Sequence, residues 1–436
     1  MPQHGTRARL SWGLYDLANT IFSMNVISLY LPLWVATSFA GGEIYYAVAY
    51  SLSMFVVAVL SPLAGVVGDR SGHKPLLLIC TLVAVLFCFF IGRGSSLAGV
   101  LIIFALANIG YQTGLVAYNS LLTSVSEPAD RGRTSGLGVA LGYVGSFIGM
   151  TLVFPFVDGA RFAKLPAPIQ DLINRMTLVP MTAESGLIRA NAFVPTALLF
   201  ALFSVPLFLW VREKRPKARV SATATLESVR ETFREIMRDP NLRNFFIGSF
   251  LYLDAIHTVY IVMATYGKFA AGLRDDQIIL VMMIALSAAI AGSAAYGWIS
   301  DRLQFRTSLF IVLGNWVIAL ILALFATSFS TYLPVAMVAG VGLGGVEVVT
   351  RVALLGLVDV SRRGRYFGFF NLTGKASSIV GPQLWALTLF VFSTAGPIRF
   401  RAGVLVLLVL LLGSFFFIRK VQFAPLPAAD NDAAIA

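Results

Sequence analysis

Arg131-Gly132-Arg133-x2-Gly136-x5-Gly142-x6-Gly149 recurs 232 residues later as Arg363-Gly364-Arg365-x2-Gly368-x5-Gly374-x6-Gly381. At the same offset, Gly65-x3-Asp69-Arg70 recurs as Gly297-x3-Asp301-Arg302. Two matched sets at one spacing point to two copies of one folding unit, each about half the chain. The surrounding sequence is 58% hydrophobic and 12% charged, with a mean hydropathy of +0.81. A soluble domain carries about twice that charge, so both copies are expected to sit in a membrane.

Runs of about 20 apolar residues fall near 11–39, 43–67, 76–92, 97–119, 134–157, 191–211, 244–266, 277–299, 307–326, 331–357, 366–393 and 400–418. The expected fold is all-α, with twelve transmembrane helices in two six-helix bundles. Residues 1–211 form the first bundle and 244–420 the second, joined by a 212–243 linker, and 421–436 read as a disordered tail. The first segment is too long for a signal core and is expected to remain as an anchor. With the N-terminus inside, cytoplasmic segments hold 22 of the 33 Lys and Arg. That bias places both termini in the cytoplasm. The net charge of +12 therefore reads as a topology signal, and no basic face with stacking aromatics points to nucleic acid.

The linker opens with Arg212-Glu213-Lys214-Arg215-Pro216-Lys217, and then Leu226, Val229, Phe233 and Ile236 follow helical spacing up to Pro240. Two readings fit, a helix lying on the membrane surface or a solvated spacer with a narrow apolar side. Residues 158–190 form a long loop on the opposite side, able to fold over that mouth. Cys80 and Cys88 lie two turns apart on one expected helix, about 12 Å by helical rise, too far for a disulfide.

Gly65-Val-Val-Gly68-Asp69-Arg70-Ser-Gly72-His73-Lys74 resembles the signature loop of the major facilitator superfamily, G-x-x-x-D-R-x-G-R/H-R/K, and Gly297–Arg302 stands where that family repeats it. Trp12-Gly-Leu-Tyr15-Asp16-Leu-Ala-Asn19, the Arg131–Gly149 stretch, Leu251-Tyr252-Leu-Asp254 and Gly374-Lys375-Ala-Ser-Ser378 look like its vacuole-effluxer-like branch. The eukaryotic members of that branch are associated with exporting amino acids after autophagy. The resemblance implies the major facilitator fold in an inner cell membrane and an amino acid or similar metabolite as cargo.

Physical chemistry gives the signature loop a task of its own. The Asp69 carboxylate can accept N–H bonds from a neighbouring helix start, while Arg70 and Lys74 can bridge to acidic groups such as Asp130. With Arg131, Arg133, Asp301, Arg302, Arg363 and Arg365 they form a candidate cytoplasmic gate. Each exposed pair contributes about 0–1 kcal/mol, enough to bias a conformational balance without blocking it. The competing reading is a set of charges anchoring tight turns at the lipid headgroups.

Polar residues within the segments are few, and such residues mark pathways or packing sites. Asp16-x2-Asn19-Thr20 in the first segment matches Asp254-x2-His257-Thr258 in the seventh, and each spacing puts its pair on one helix face. A carboxylate at this depth costs several kcal/mol unless paired, hydrated or protonated, and proton uptake is one way to couple transport to a gradient. Asp16 also fits a packing or gating role. Glu347 and Arg351 are spaced i,i+4, and Lys375 stands where the first copy has Tyr143. These groups can hold an anionic cargo, with Arg351 able to act bidentately and Lys375 as a point charge. They also fit a structural Glu347–Lys375 bridge. Asn108 and Gln112 offer polar groups from the fourth segment. Gly136, Gly142, Gly149, Gly368, Gly374 and Gly381 let their helices pack closely.

Enzyme chemistry finds little support. Only His4, His73 and His257 are present, and no metal-ligand or cofactor motif occurs. Gly368-x5-Gly374-Lys375-Ala376 has one residue too many and lacks the Ser/Thr of a phosphate-binding loop. The expected protein is a secondary transporter acting as a monomer, whose halves rock around a small-molecule site near the midplane. Protons and the lipid bilayer are its other partners. A drug-like cargo, or a non-transporting sensor on the same fold, are the alternatives.

Overall fold

The computed structural model describes residues 6–126, 131–213, 222–358 and 363–423. Among them, eleven helices are long and apolar enough to cross a membrane. In the first half these are α1 (Thr6–Ser38), α2 (Gly42–Ser71), α3 (His73–Ile91), α4 (Leu97–Val125), α5 (Arg131–Val153) and α6 (Phe193–Trp210). In the second half they are α7 (Pro240–Phe269), α8 (Asp275–Arg302), α9 (Phe305–Phe325), α10 (Phe329–Leu355) and α12 (Ile398–Ile418). The segment expected over 366–393 is broken instead. Its two parts, Arg363–Ala376 and Val380–Val391, together form α11. The α1 start, the α6 end and the α12 end share one face, the termini end; the α1–α2 turn lies at the far end.

In both irregular helices a proline leaves a carbonyl without its N–H partner. Within α1, Ser23–Leu29 winds as a π-helix, in which each carbonyl bonds the N–H five residues on. The partner of Ile27 would be Pro32, which has no N–H, and the Tyr46 hydroxyl donates to the Ile27 carbonyl instead. In α11, Pro382 cannot serve the Ser378 carbonyl four residues back, and the helix breaks just upstream, at residues 377–379. The Ile379 carbonyl accepts from Ser51 Oγ on α2 at 2.7 Å, across the two halves.

Small residues bring helices into backbone contact where lipid supplies no hydrophobic drive. A Cβ added at Gly340 or Gly344 would lie 2.2 Å or 1.9 Å from the carbonyls of Ala285 or Ala289, so α8 and α10 run nearly touching. The linker forms a helix over Ala222–Arg238. It docks on protein, packing against α2, α7 and α11, with Ile236 fully buried and Glu235 accepting from the Tyr366 hydroxyl at 3.0 Å. The Leu226 side chain lies outside the described part. The far-end loop folds on its own small core of Phe162, Ile173 and Met181, and Asn191 holds its backbone at Leu178 and Val179.

Candidate functional site

The α11 break sets a polar cluster between the halves. Lys375 Nζ, two residues before the break, donates to Gln112 Oε1 on α4 at 2.5 Å. On the break itself, Ser378 Oγ lies 3.0 Å from His257 Nδ1 and Ser377 Oγ 3.5 Å. On α10, Arg351 Nη2 and Glu347 Oε2 are 3.2 Å apart, both side chains 53% exposed. Glu347 and Arg351 both act electrostatically on Tyr143 of α5, Glu347 on His257 and Lys375, and Arg351 on Asp16 of α1.

Asp254 is fully buried, and neither carboxylate oxygen has a hydrogen-bond partner. The Gly381 backbone approaches it without meeting hydrogen-bond geometry. Its repeat partner Asp16 is partly buried and lies against Gly142, its Oδ2 3.1 Å from where a Cβ there would stand. Asn19 is buried beside it, with Nδ2 lacking a partner in hydrogen-bond geometry.

Other expected members stand elsewhere. Asn108 faces into the first half, where Nδ2 donates to Ser53 Oγ at 2.7 Å, so it joins α4 to α2 away from the shared space. The Glu347–Lys375 bridge is not formed, since Lys375 turns to Gln112. Gly142, Gly149 and Gly381 meet neighbouring helices, but Gly136, Gly368 and Gly374 have nothing within 4 Å of an added Cβ. Among the described residues, those three positions have room for a side chain.

At the termini end, the side chains of Asp69, Arg70, Arg131, Arg133, Asp301, Arg363 and Arg365, and all of Asp130, lie outside the described part. Lys74 Nζ donates to the Val211 carbonyl at 2.6 Å, and Arg302 stacks over Trp298. The carboxylate on the α3 start is that of Glu213, which accepts the backbone N–H groups of His73 (2.6 Å) and Lys74 (3.0 Å).

Sequence reasoning missed the far end. There Asp275 takes both Arg189, from the first half, and Lys268, while Arg399 and Glu43 pair across the halves at 2.8 Å. Each charge sits at a segment end, where an unpaired interfacial residue looks the same. Two apolar cavities of about 30 Å³ each lie around Val259, Met263, Trp316 and Ala339, one of them also lined by Met24 of α1.

The model of the Major Facilitator Superfamily matches residues 17–382. The chain belongs to the major facilitator superfamily. Like other members of this superfamily, it is read as a transporter rather than an enzyme. It is 24% identical over 412 residues to the uncharacterized MFS-type transporter YxiO of Bacillus subtilis (strain 168), covering 89% of this chain and 90% of that one. It is 22% identical over 314 residues to Autophagy-related protein 22 of Yarrowia lipolytica, covering 64% and 50% of the two. Among solved superfamily structures, a bacterial homolog of the human lysosomal transporter Spinster, inward-facing and unoccupied, superposes with a TM-score of 0.72. Its sequence identity is 15%, with coverage of 98% of this chain and 100% of that one.

Proposed function

We propose that this chain is a secondary active transporter for a small polar metabolite of the amino-acid class, working by alternating access in the inner cell membrane. The observation that carries the reading is the Lys375–Gln112 bond at the α11 break. Backbone irregularity at membrane depth is tolerated where it lines a cavity, and broken helices commonly frame transporter sites. Lys375 and Arg351 supply cation for a cargo carboxylate, and Glu347 supplies the opposite charge for an ammonium.

The far-end pairs Arg189–Asp275 and Arg399–Glu43 close one mouth, and the half-exposed Glu347 and Arg351 lie open toward the other. With the termini in the cytoplasm, this is an inward-open form, the state in which the Spinster homolog was described. Asp254, buried with neither carboxylate oxygen in hydrogen-bond geometry to a described group, carries the cost of an isolated buried charge. A coupling proton relieves that cost, which assigns it the coupling role.

Amino-acid uptake and exchange in proteoliposomes, with and without a pH gradient, test this. An imposed gradient should stimulate uptake by the wild type several-fold and leave Asp254→Asn unaffected, while exchange at equal pH persists in both. An equal gradient response in the variant removes Asp254 from coupling. Absence of amino-acid exchange by the wild type removes the cargo class.

A further inference from the structure

The two halves share a corner at the termini end, where the start of the third helix meets the chain leaving the sixth. In the first half, the α3 start meets Val211–Glu213; in the second, the α9 start meets Arg419–Phe423. Val211 and Val421 are equally buried, and one cation ties each corner to a carbonyl. Lys74 Nζ binds the Val211 carbonyl, and Arg306 Nη2 binds the Arg419 carbonyl at 2.8 Å. Two residues beyond each valine the corners diverge. Glu213 satisfies the α3 start, whereas Phe423 turns its ring to Phe305, 6.2 Å away. At the α9 start, the N-cap Gln304 makes no side-chain cap, and no carboxylate among the described residues accepts from its first N–H groups.

Replacing carboxylate by phenylalanine leaves charge in excess. Arg302, Arg306, Arg419 and Lys420 are all exposed, and none meets a carboxylate within ion-pair distance among the described residues. Arg302 lies 4.0 Å over the Trp298 ring; Lys420 and Arg419 lie 3.8 Å and 4.8 Å over Phe416. Trp298 is 60% exposed and Phe416 48%, and both stand on membrane-spanning helices, so the cations sit where headgroups meet acyl chains.

We propose that this corner binds the headgroup of an anionic phospholipid from the leaflet facing the termini. Guanidinium groups grip a phosphate bidentately, and the uncapped helix start adds N–H donors and a favourable dipole. The acyl chains run along Trp298 and Phe416. That apolar continuation singles out a lipid over a free phosphate, and the open helix start singles out this corner over its twin, where Glu213 already occupies that start.

Melting of the purified full-length protein is compared in phosphatidylglycerol, phosphatidylcholine and inorganic phosphate, with native mass spectrometry counting retained lipid. Phosphatidylglycerol should raise the melting temperature more than phosphatidylcholine, with at least one molecule retained. That excess should fall by half or more in Arg302→Gln/Lys420→Gln. Phe423→Glu, which restores the carboxylate of the first corner, should remove the retained lipid and serves if the double variant does not fold. Equal stabilisation by the two lipids, or an excess that survives the variants, overturns the proposal. Equal stabilisation by inorganic phosphate overturns the lipid assignment.

Discussion

The α1–α5 seam and the α7–α11 seam descend from one glycine pattern and have become different joints. Gly142, Gly145 and Gly149 all press α5 onto α1, while on α11 only Gly381 meets α7, and Gly368 and Gly374 face open space. Thr20 Oγ1 reaches across the first seam to the Gly142 carbonyl at 2.5 Å. Its counterpart Thr258 donates back to Asp254 of its own helix. The cause lies in one helix. α5 runs unbroken over Arg131–Val153, and the residue aligned with Gly145 is Ser377, the first of the α11 break. Small residues make a seam only while their helix holds its register. The first seam is continuous along an unbroken helix, and the second is interrupted where α11 carries Lys375 and the two serines of the cluster.

Gly145→Val strikes this contrast hardest. An added Cβ would lie 2.3 Å from the Leu17 carbonyl oxygen and 2.8 Å from Leu17 Cα, and backbone cannot swing aside as a side chain can. Overpacking usually costs 1–3 kcal/mol, and with backbone in the way about 3 kcal/mol or more is expected here. Thermal melting in detergent should show a large loss of stability. A variant that melts like the wild type would mean that the first seam is no tighter than the other.

Gly381→Ala probes the one tight point of the second seam. Its Cβ would meet Thr258 Oγ1 at 2.2 Å and Asp254 Oδ1 at 3.0 Å, for an expected cost of about 1–2 kcal/mol. Thr258→Ala removes the obstructing hydroxyl, so the double variant should recover at least half of that loss in a mutant cycle. Strict additivity would show that the strain resides elsewhere.

The sequence carried the architecture because apolar length and a 232-residue repeat are one-dimensional signals. Asp254, His257, Glu347, Arg351 and Lys375 stood out because charge is rare at that depth. What stayed hidden depends on distance in space. Asn108 and Gln112 share one face of α4, yet one meets Ser53 in its own half and the other Lys375 in the opposite half. No spacing rule joins Glu43 to Arg399 or Arg189 to Asp275. The break at 377–379 had a local signal in Gly381-Pro382, but membrane helices tolerate proline, and the signal did not decide between a kink and a gap.

Gly374→Ala should have the smallest effect on stability and separates packing from motion. Nothing stands within 4 Å of the added methyl, so no clash opposes it, and alanine is the better helix former by about 0.8–1.0 kcal/mol. Melting should therefore hold or rise slightly, whereas Gly142→Ala, its aligned partner, meets Asp16 Oδ2 at 3.1 Å and Thr20 Cγ2 at 3.2 Å and should lose stability. Transport should move the other way. If α11 bends around its break when the halves rock, a stiffer turn beside Lys375 slows exchange several-fold even as the protein becomes more stable. Unchanged exchange would show that the open space at Gly374 is slack in the packing and that the halves turn as rigid bodies, with the break serving only to present Lys375 and Ser378.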